Sequence, residues 1–354
     1  MLIDGRPIAG TPPRAFVIAE LSANHGGSLE TALAIVRSAA SAGADAIKLQ
    51  TYRPDTITID HAGEPFRIAS GTVWDGRTLY ELYEEAHTPW DWHVAIRDEA
   101  KRVGMTWFSS PFDNSAVDFL ESLDAPAYKI ASFEIVDVGL IRRVAATGKP
   151  MIISTGMATL AEIEEAVAVA REAGAVDIAL LKCTSAYPAP PEEVNLRTIP
   201  HMAATFRVPV GLSDHTLGIA VPVAAVALGA VIVEKHVTLR RADGGPDSGF
   251  SLEPAELTVM IDQIRVAERA LGEVNYEPTE REISSRALRR SLFVISDMRA
   301  GDEFSASNVR SIRPGHGLHT RHLPEIIGRR ATRAINRGTP LTWDLVGAAS
   351  ADGQ

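Results

Sequence analysis

The sequence predicts an α/β fold, a parallel (β/α)8 barrel of the TIM type followed by a small, mostly β domain. Short apolar segments and helical segments alternate through eight units before residue 272. The short segments are apolar almost throughout, as strands are when helices cover the sheet and side chains fill its interior. Polar and charged residues gather at the carboxyl end of nearly every one, where a parallel barrel carries its active site. A doubly wound open sheet is the structural alternative, but it does not usually need eight equal units.

Length and charge set the frame. At 354 residues the chain suits a barrel of about 250 residues plus a smaller unit. The net charge of -10, with no long Lys/Arg run, argues against a nucleic-acid or anionic-membrane partner, so an anionic substrate needs a local basic pocket. Cys183 is the single cysteine, which excludes an internal disulfide and fits a reducing compartment. No signal peptide or membrane span is read from the sequence, and a cytoplasmic protein is expected.

The elements follow in order. Residues 15–21 form a first strand, and 28–42 a helix with an apolar stripe from Leu29 to Ala39 and a stop at Gly43. Residues 46–52 are the second strand. The stretch 53–87 is too long for a simple connection and reads as an insertion that walls a binding site. Thr88, Pro89 and Asp91 start the next helix, with Pro89 at its first position, and it runs to Val103. Strands then fall at 105–112, 127–133, 151–155 and 177–183, with helices at 114–123 and 138–146 and a long one to Ala173 opened by the capping box of Thr159 and Glu162. A proline-rich loop and a short helix ending near Phe206 precede strands at 209–212 and 231–233, joined by a helix over 219–228, and 254–271 closes the series. Beyond it, 273–288 reads as a polar linker. Residues 289–354 hold short apolar pieces between turns, with Arg299-Ala300-Gly301 and Asn336-Arg337-Gly338 in similar places, a sign of internal pseudo-symmetry.

Chemistry collects at the strand ends. His215 follows the seventh strand and His236 ends the eighth, so parallel neighbours bring both imidazoles to one sheet edge as an open metal site, with Asp214 and Glu234 placed to orient the rings or add charge. Lys48 and Lys129, flanked by Ser110, Ser132, Ser154 and Ser213, form a compact anion pocket suited to a phosphate or phosphocarboxylate. Glu20 and Glu134 are possible salt-bridge partners of the lysines. The aromatics Trp74, Tyr80, Tyr83 and Trp90 of the insertion suit an uncharged, partly apolar sugar or simple helix packing. A metal-dependent barrel hydrolase would call for further ligands such as a His-x-His on the first strand, where Glu20-Leu21-Ser22 stands instead.

The stretches AELSANHGGSL, AIKLQTY, SSPFD, AYKIASFE, MIISTGMA, KCTSAYPAPPEEVNL, GLSDHTLG, VIVEKHVTL, ADGGPDSGFSLEP and SIRPG together resemble the sialic acid synthase family, whose members join phosphoenolpyruvate to an amino sugar. The resemblance covers essentially the whole chain and implies a catalytic barrel over 1–272 and an antifreeze-like (SAF) domain over 289–354. It implies that His215 and His236 hold a divalent metal, Mn or Mg. Lys48, Lys129, Ser110, Ser132, Ser154, Ser185 and Ser213 would hold phosphoenolpyruvate, although Ser185 stands where one branch has asparagine. Gln50, Glu134, Tyr187 and Asp247 would contact the open-chain sugar, with Glu20 near the reacting carbons. Arg313 would reach the sugar from the second subunit of a domain-swapped homodimer. RTLYELYEEAHTPWDWH and ADGG resemble the branch whose acceptor is a 6-deoxy sugar with two acetamido groups; SANHGG and Pro246 are closer to the branch that uses N-acetylmannosamine.

Overall fold

The computed structural model of the protein describes residues 1–8, 10, 14–68 and 74–349. Residues 69–73 of the expected insertion and 350–354 of the expected second domain lie outside the described residues.

Eight parallel strands close into a barrel. They are β1 (Phe16–Glu20), β2 (Ala46–Thr51), β3 (Thr106–Pro111), β4 (Tyr128–Ile130), β5 (Met151–Ser154), β6 (Ile178–Cys183), β7 (Val210–Asp214) and β8 (Ile232–His236), each paired to the next and β8 to β1. Eight main helices follow them, at Leu29–Ser41, Trp92–Arg102, Asn114–Ser122, Val138–Ala145, Leu160–Glu172, Thr198–Phe206, Ala220–Ala227 and Pro254–Leu271. The expected eight-unit barrel is therefore the observed one.

Strand alternation divides the core in two. Residues such as Val17, Ala19, Ile47 and Leu49 face outward and pack under the helices. Phe16, Ile18, Ala46, Phe108, Ile152, Leu181 and Ile232 face inward and fill the barrel. Ile3 and Ile8 join this inner cluster from a short hairpin, Leu2–Ile3 against Arg6–Pro7. Asp4-Gly5 at its turn has positive φ at both residues (50° and 75°), the conformation for which Asp-Gly is suited.

Two local expectations are corrected. The helix expected to begin at Pro89 begins at Trp92, because Pro89 and Trp90 turn ahead of it and the Trp90 ring stacks on Phe119 at 4.5 Å. The expected linker 273–288 holds a helix, Glu280–Ser285, capped by Thr279 and Glu282; its polar residues carry no apolar stripe to signal it. The insertion, expected to have some structure of its own, contains two short α-helices among its described residues, Pro54–Ile57 and Leu79–Ala86.

The chain divides into two units, Met1–Gly272 and Glu273–Gln354. The second has a core of its own, including Leu292, Phe304, Ile326 and Leu341. It contains two antiparallel pairs, Ser291–Val294 with Val309–Ile312 and Arg329–Ala331 with Val346–Ala349. The expected pseudo-symmetry is visible in its backbone. Met298 and Ile335 exchange both hydrogen bonds, and Gly301 and Gly338 share a φ of 86°. Gly301 N donates to Ala331 O while Gly338 N donates to Val294 O, each pair reproduced 37 residues on (294 to 331, 301 to 338).

Candidate active site

Each barrel strand starts apolar on its inner face and ends polar. Lys48 follows Ala46, Ser110 follows Phe108, and Ser154 follows Ile152. Ser213 follows Gly211, and Glu234 and His236 follow Ile232, by steps of two. Cross-strand register then places Glu20 beside both Lys48 and His236, and Glu234 beside Ser213. The polar ends therefore meet at one mouth of the barrel although they are scattered along the sequence.

The two lysines are 2% to 3% exposed, so neither can carry charge without partners. Lys48 Nζ contacts Glu20 Oε2, donates to Ser110 Oγ at 3.2 Å and lies 3.8 Å from Glu234 Oε2. Lys129 Nζ lies 3.7 Å from Glu234 Oε1 and donates to Ile130 O at 3.2 Å. Glu234 thus stands between both ammoniums and accepts from Ser213 Oγ at 3.0 Å. Burial pushes the Glu234 carboxyl up, but the two lysines outweigh it and hold it below the usual range. Burial pushes Lys129 down, reinforced by Lys48, whereas Glu20 and Glu234 hold Lys48 above its ordinary value against burial. Burial also raises Glu20 despite Lys48. The two ammoniums share Glu234, Lys48 also pairs with Glu20, and the cluster of buried donors suits an added anion.

Of the two roles expected of Glu234 and Asp214, neither carboxylate hydrogen-bonds an imidazole directly, but Asp214 does add charge that favours protonated His215. Asp214 faces outward and pairs with Lys235 at 2.5 Å. His215 Nδ1 instead lies 3.0 Å from Thr184 O, the geometry of a donated N–H, which directs the Nε2 lone pair away from that bond. Lys182 also points outward, Nζ donating to Cys183 O at 2.7 Å, and stands apart from the anion pocket.

The histidine rings are 5.3 Å apart between centroids. Burial and the neighbouring cations hold His236 well below the ordinary imidazole range, so it is neutral, and its buried Nδ1 makes no hydrogen bond among the described residues. No cluster of three or more His, Cys, Asp or Glu suited to a metal occurs among the described residues. Burial pushes the His215 imidazole down, but Cys183, the Thr184 carbonyl and Asp214 outweigh it and hold it above the ordinary range, so His215 would give up its proton to a metal. With Nδ1 held at Thr184 O and His236 neutral, the two rings still fit a cation that keeps its other positions for solvent and substrate.

Around this centre Gln50 Nε2 donates to Glu20 Oε1 at 3.1 Å and to Ser22 Oγ at 3.3 Å, and Ser22 Oγ contacts Asp247. Asp247 Oδ2 is 3.9 Å from His236 Nδ1. Tyr187 lies 4.4 Å from the His215 ring and 5.6 Å from Trp74, whose Nε1 donates to Pro246 O at 2.9 Å. Trp90 and Tyr83 pack within the fold instead, against Phe119 and Tyr52. Glu134, on the turn Ser132–Val136, is pushed up to about 7 by burial. Ser132 Oγ accepts from Gly156 N at 3.1 Å, and a Cβ on Gly156 would collide with the hydroxyls of Ser132 and Ser185. Buried atoms of Glu134, Ser154 and Glu234 also lack a hydrogen-bond partner among the described residues, while Glu20 Oε2 is held in its ion pair with Lys48. Arg313 lies in the second unit.

The bridging position of Glu234 and the parts played by Gly156 and Ser22 emerge only in the folded site. The period-two alternation with Ile232 and His236 is the signal that places Glu234 inside; nothing local marks the other two.

A NeuB family model matches residues 35–276, and a SAF domain model matches residues 289–347. The chain belongs to the NeuB family. This NeuB chain is 46% identical over 331 residues to the pseudaminic acid synthase of Campylobacter jejuni strain 81-176, covering 94% of this chain and 96% of the relative. It is 42% identical to the pseudaminic acid synthase of Helicobacter pylori over 94% of this chain and 97% of that one. Among solved structures, the N-acetylneuraminic acid synthetase of Leptospira borgpetersenii, in complex with citrate, is 31% identical with a TM-score of 0.71, covering 80% of this NeuB chain and 94% of that one.

Proposed function

We propose that this chain is a pseudaminic acid synthase, condensing phosphoenolpyruvate with 2,4-diacetamido-2,4,6-trideoxy-L-altrose and water to give pseudaminic acid and phosphate. The observation that carries this is the pair of buried ammoniums, Lys48 and Lys129, bridged by Glu234 beside two neutral-capable imidazoles, in a chain so similar to two pseudaminic acid synthases.

Lys48 and Lys129 hold the phosphate and carboxylate as point charges, with Ser110, Ser132, Ser154, Ser185 and Ser213 as hydroxyl donors and Gly156 leaving them room. His215 and His236 would hold Mn or Mg. When bound, that cation supplies Lewis-acid polarisation of the sugar aldehyde. The methylene carbon of phosphoenolpyruvate forms the new carbon–carbon bond to the aldehyde carbon, water adds at the former enol carbon, and the carbon–oxygen bond to phosphate breaks. The fixed lysines neutralise the leaving phosphate throughout, and holding both substrates together supplies the positional part of the acceleration. Glu20, its carboxyl raised by burial against the pull of Lys48 and held by Gln50, is placed to handle a proton near the reacting carbons. Glu134, neutral below about 7, can donate to the sugar, while Asp247 and Gln50 accept and donate on its other side. Trp74 and Tyr187 offer an apolar wall for the deoxy and acetamido groups. Arg313 is supplied from the second subunit of a domain-swapped homodimer. No described helix is long and apolar enough to cross a membrane, and the chain acts in the cytoplasm, where phosphoenolpyruvate is made.

The test is phosphate release from phosphoenolpyruvate with Mn or Mg, using the altrose-configured acceptor, its mannose-configured isomer and N-acetylmannosamine in parallel. Release with the first alone, lost on chelation, is the expected result. Release with the mannose isomer makes the chain a legionaminic acid synthase, and release with N-acetylmannosamine makes it an N-acetylneuraminic acid synthase, the branch to which SANHGG and Pro246 are closer.

A further inference from the structure

We propose that the buried ion pair of Lys235 and Asp214 is a brace that sets the positions of His215 and His236, making Lys235 a positioning residue for the cation site. The proposal rests on the metal reading of those histidines.

Lys235 is the residue between Glu234 and His236, and Asp214 the residue before His215. They are register partners on β8 and β7, and alternation turns both outward while their neighbours face the barrel mouth. Their side chains are 0% and 1% exposed, 2.5 Å apart. Lys235 Nζ also donates to Thr216 O, Asp214 Oδ1 accepts from Thr216 N at 3.1 Å, and Asp214 Oδ2 accepts from Thr216 Oγ1 at 3.1 Å. The residues on both sides of His215 are thus tied to each other and to the strand that carries His236. The His215 carbonyl accepts from Ala189 N at 3.0 Å and its Nδ1 is held at Thr184 O, so the ring is fixed in front as well as behind.

A buried ion pair is poor evidence of a stability device, since an apolar pair of similar volume is often as stable or more so. An apolar pair, however, cannot hold the carbonyl, amide and hydroxyl of Thr216 at once. Lys235→Met alone would leave Asp214 buried and unpaired, so the informative variant is the double Asp214→Leu, Lys235→Met.

The measurement is Mn²⁺ titration of the full-length, substrate-free proteins followed by the electron paramagnetic resonance signal of free Mn²⁺, with melting temperatures alongside. The double variant is expected to fold and to bind Mn²⁺ roughly tenfold to a hundredfold more weakly, the range for losing a ligand's outer support. Ile264→Ala, a core truncation on the helix Pro254–Leu271, is expected to melt earlier and keep its affinity. Parental affinity in the double variant, an equal loss in Ile264→Ala, or a double variant that does not fold overturns the brace, because the pair then serves the fold and not the rings. A parent chain that itself takes up no Mn²⁺ removes the metal reading instead. Amide exchange over residues 213–217 then decides the brace alone: faster exchange in the double variant supports it, and unchanged exchange overturns it.

Discussion

At the scale of the residue, the site is a set of charges that burial makes mutually dependent. Lys129 is 2% exposed and faces Glu234, so its ammonium contributes to anion binding in a pocket where water screens little. Lys129→Ala is expected to remain folded by circular dichroism and to lose turnover by about 10²–10³-fold, the cost of removing one preorganised donor from an anion site. Full phosphate release by that variant would remove the anion pocket from the mechanism. Glu134 carries the pH prediction. Burial lets its carboxyl keep a proton to about 7 in the folded chain, against 4.5 ordinarily. The folded state therefore binds more protons across that interval, and stability from this group falls as pH rises through it. Glu134→Gln cannot ionise, so ligand-free melting curves should show its advantage over the parent growing from about pH 5 to about pH 8. A pH-independent difference would mean that Glu134 titrates normally. The two lysines, the serines and the histidines were legible as strand-end residues. The pairing of Lys48 with Glu20 was among the expected partnerships, but the shared carboxylate was not: Glu234, and not Glu134, lies by both lysines, because Glu134 sits on a turn beyond its strand while Glu234 remains on the inner face.

At the scale of the element, the insertion after β2 acts through one tryptophan. The Trp74 bond to Pro246 ties it to the loop after β8, and its ring meets Tyr187, which in turn meets His215. Trp74→Ala is expected to raise KM for the sugar about tenfold, as lost burial of one aromatic face does, and to leave KM for phosphoenolpyruvate unchanged. Steady-state kinetics with each substrate varied in turn decides it, and an equal rise in both would make Trp74 a general structural prop. The other insertion aromatics divide by packing that their spacing did not reveal, since Trp90 and Tyr83 cover Phe119 and Tyr52. Strand alternation is the most informative local signal. Applied strictly, it separates Glu234 and His236 from Lys235, and Leu181 and Cys183 from Lys182, before any contact is known.

At the scale of the whole molecule, the barrel and the second domain each have their own core, and the proposed dimer supplies Arg313 across subunits. Mixing Arg313→Ala with His236→Ala, each inactive alone, is expected to restore about a quarter of parental activity after subunit exchange. Random pairing makes half the dimers mixed, and each mixed dimer has one site with both residues intact. No restoration, measured as phosphate release after refolding the two together, would place Arg313 in its own subunit's chemistry or outside it. By itself the sequence determined the eight units, the end of each strand that bears chemistry, and the internal repeat of the second domain. Those are properties of short windows, where hydrophobic period and turn residues are sufficient. Only the tertiary structure decided that Glu20, Lys48, Lys129 and Glu234 form one charge cluster and that Asp214 and Lys235 form another on the opposite face of the same strands. Closure of the barrel sets which strand ends become neighbours. Burial then requires every charge found there to have a partner, and local propensity contains neither condition.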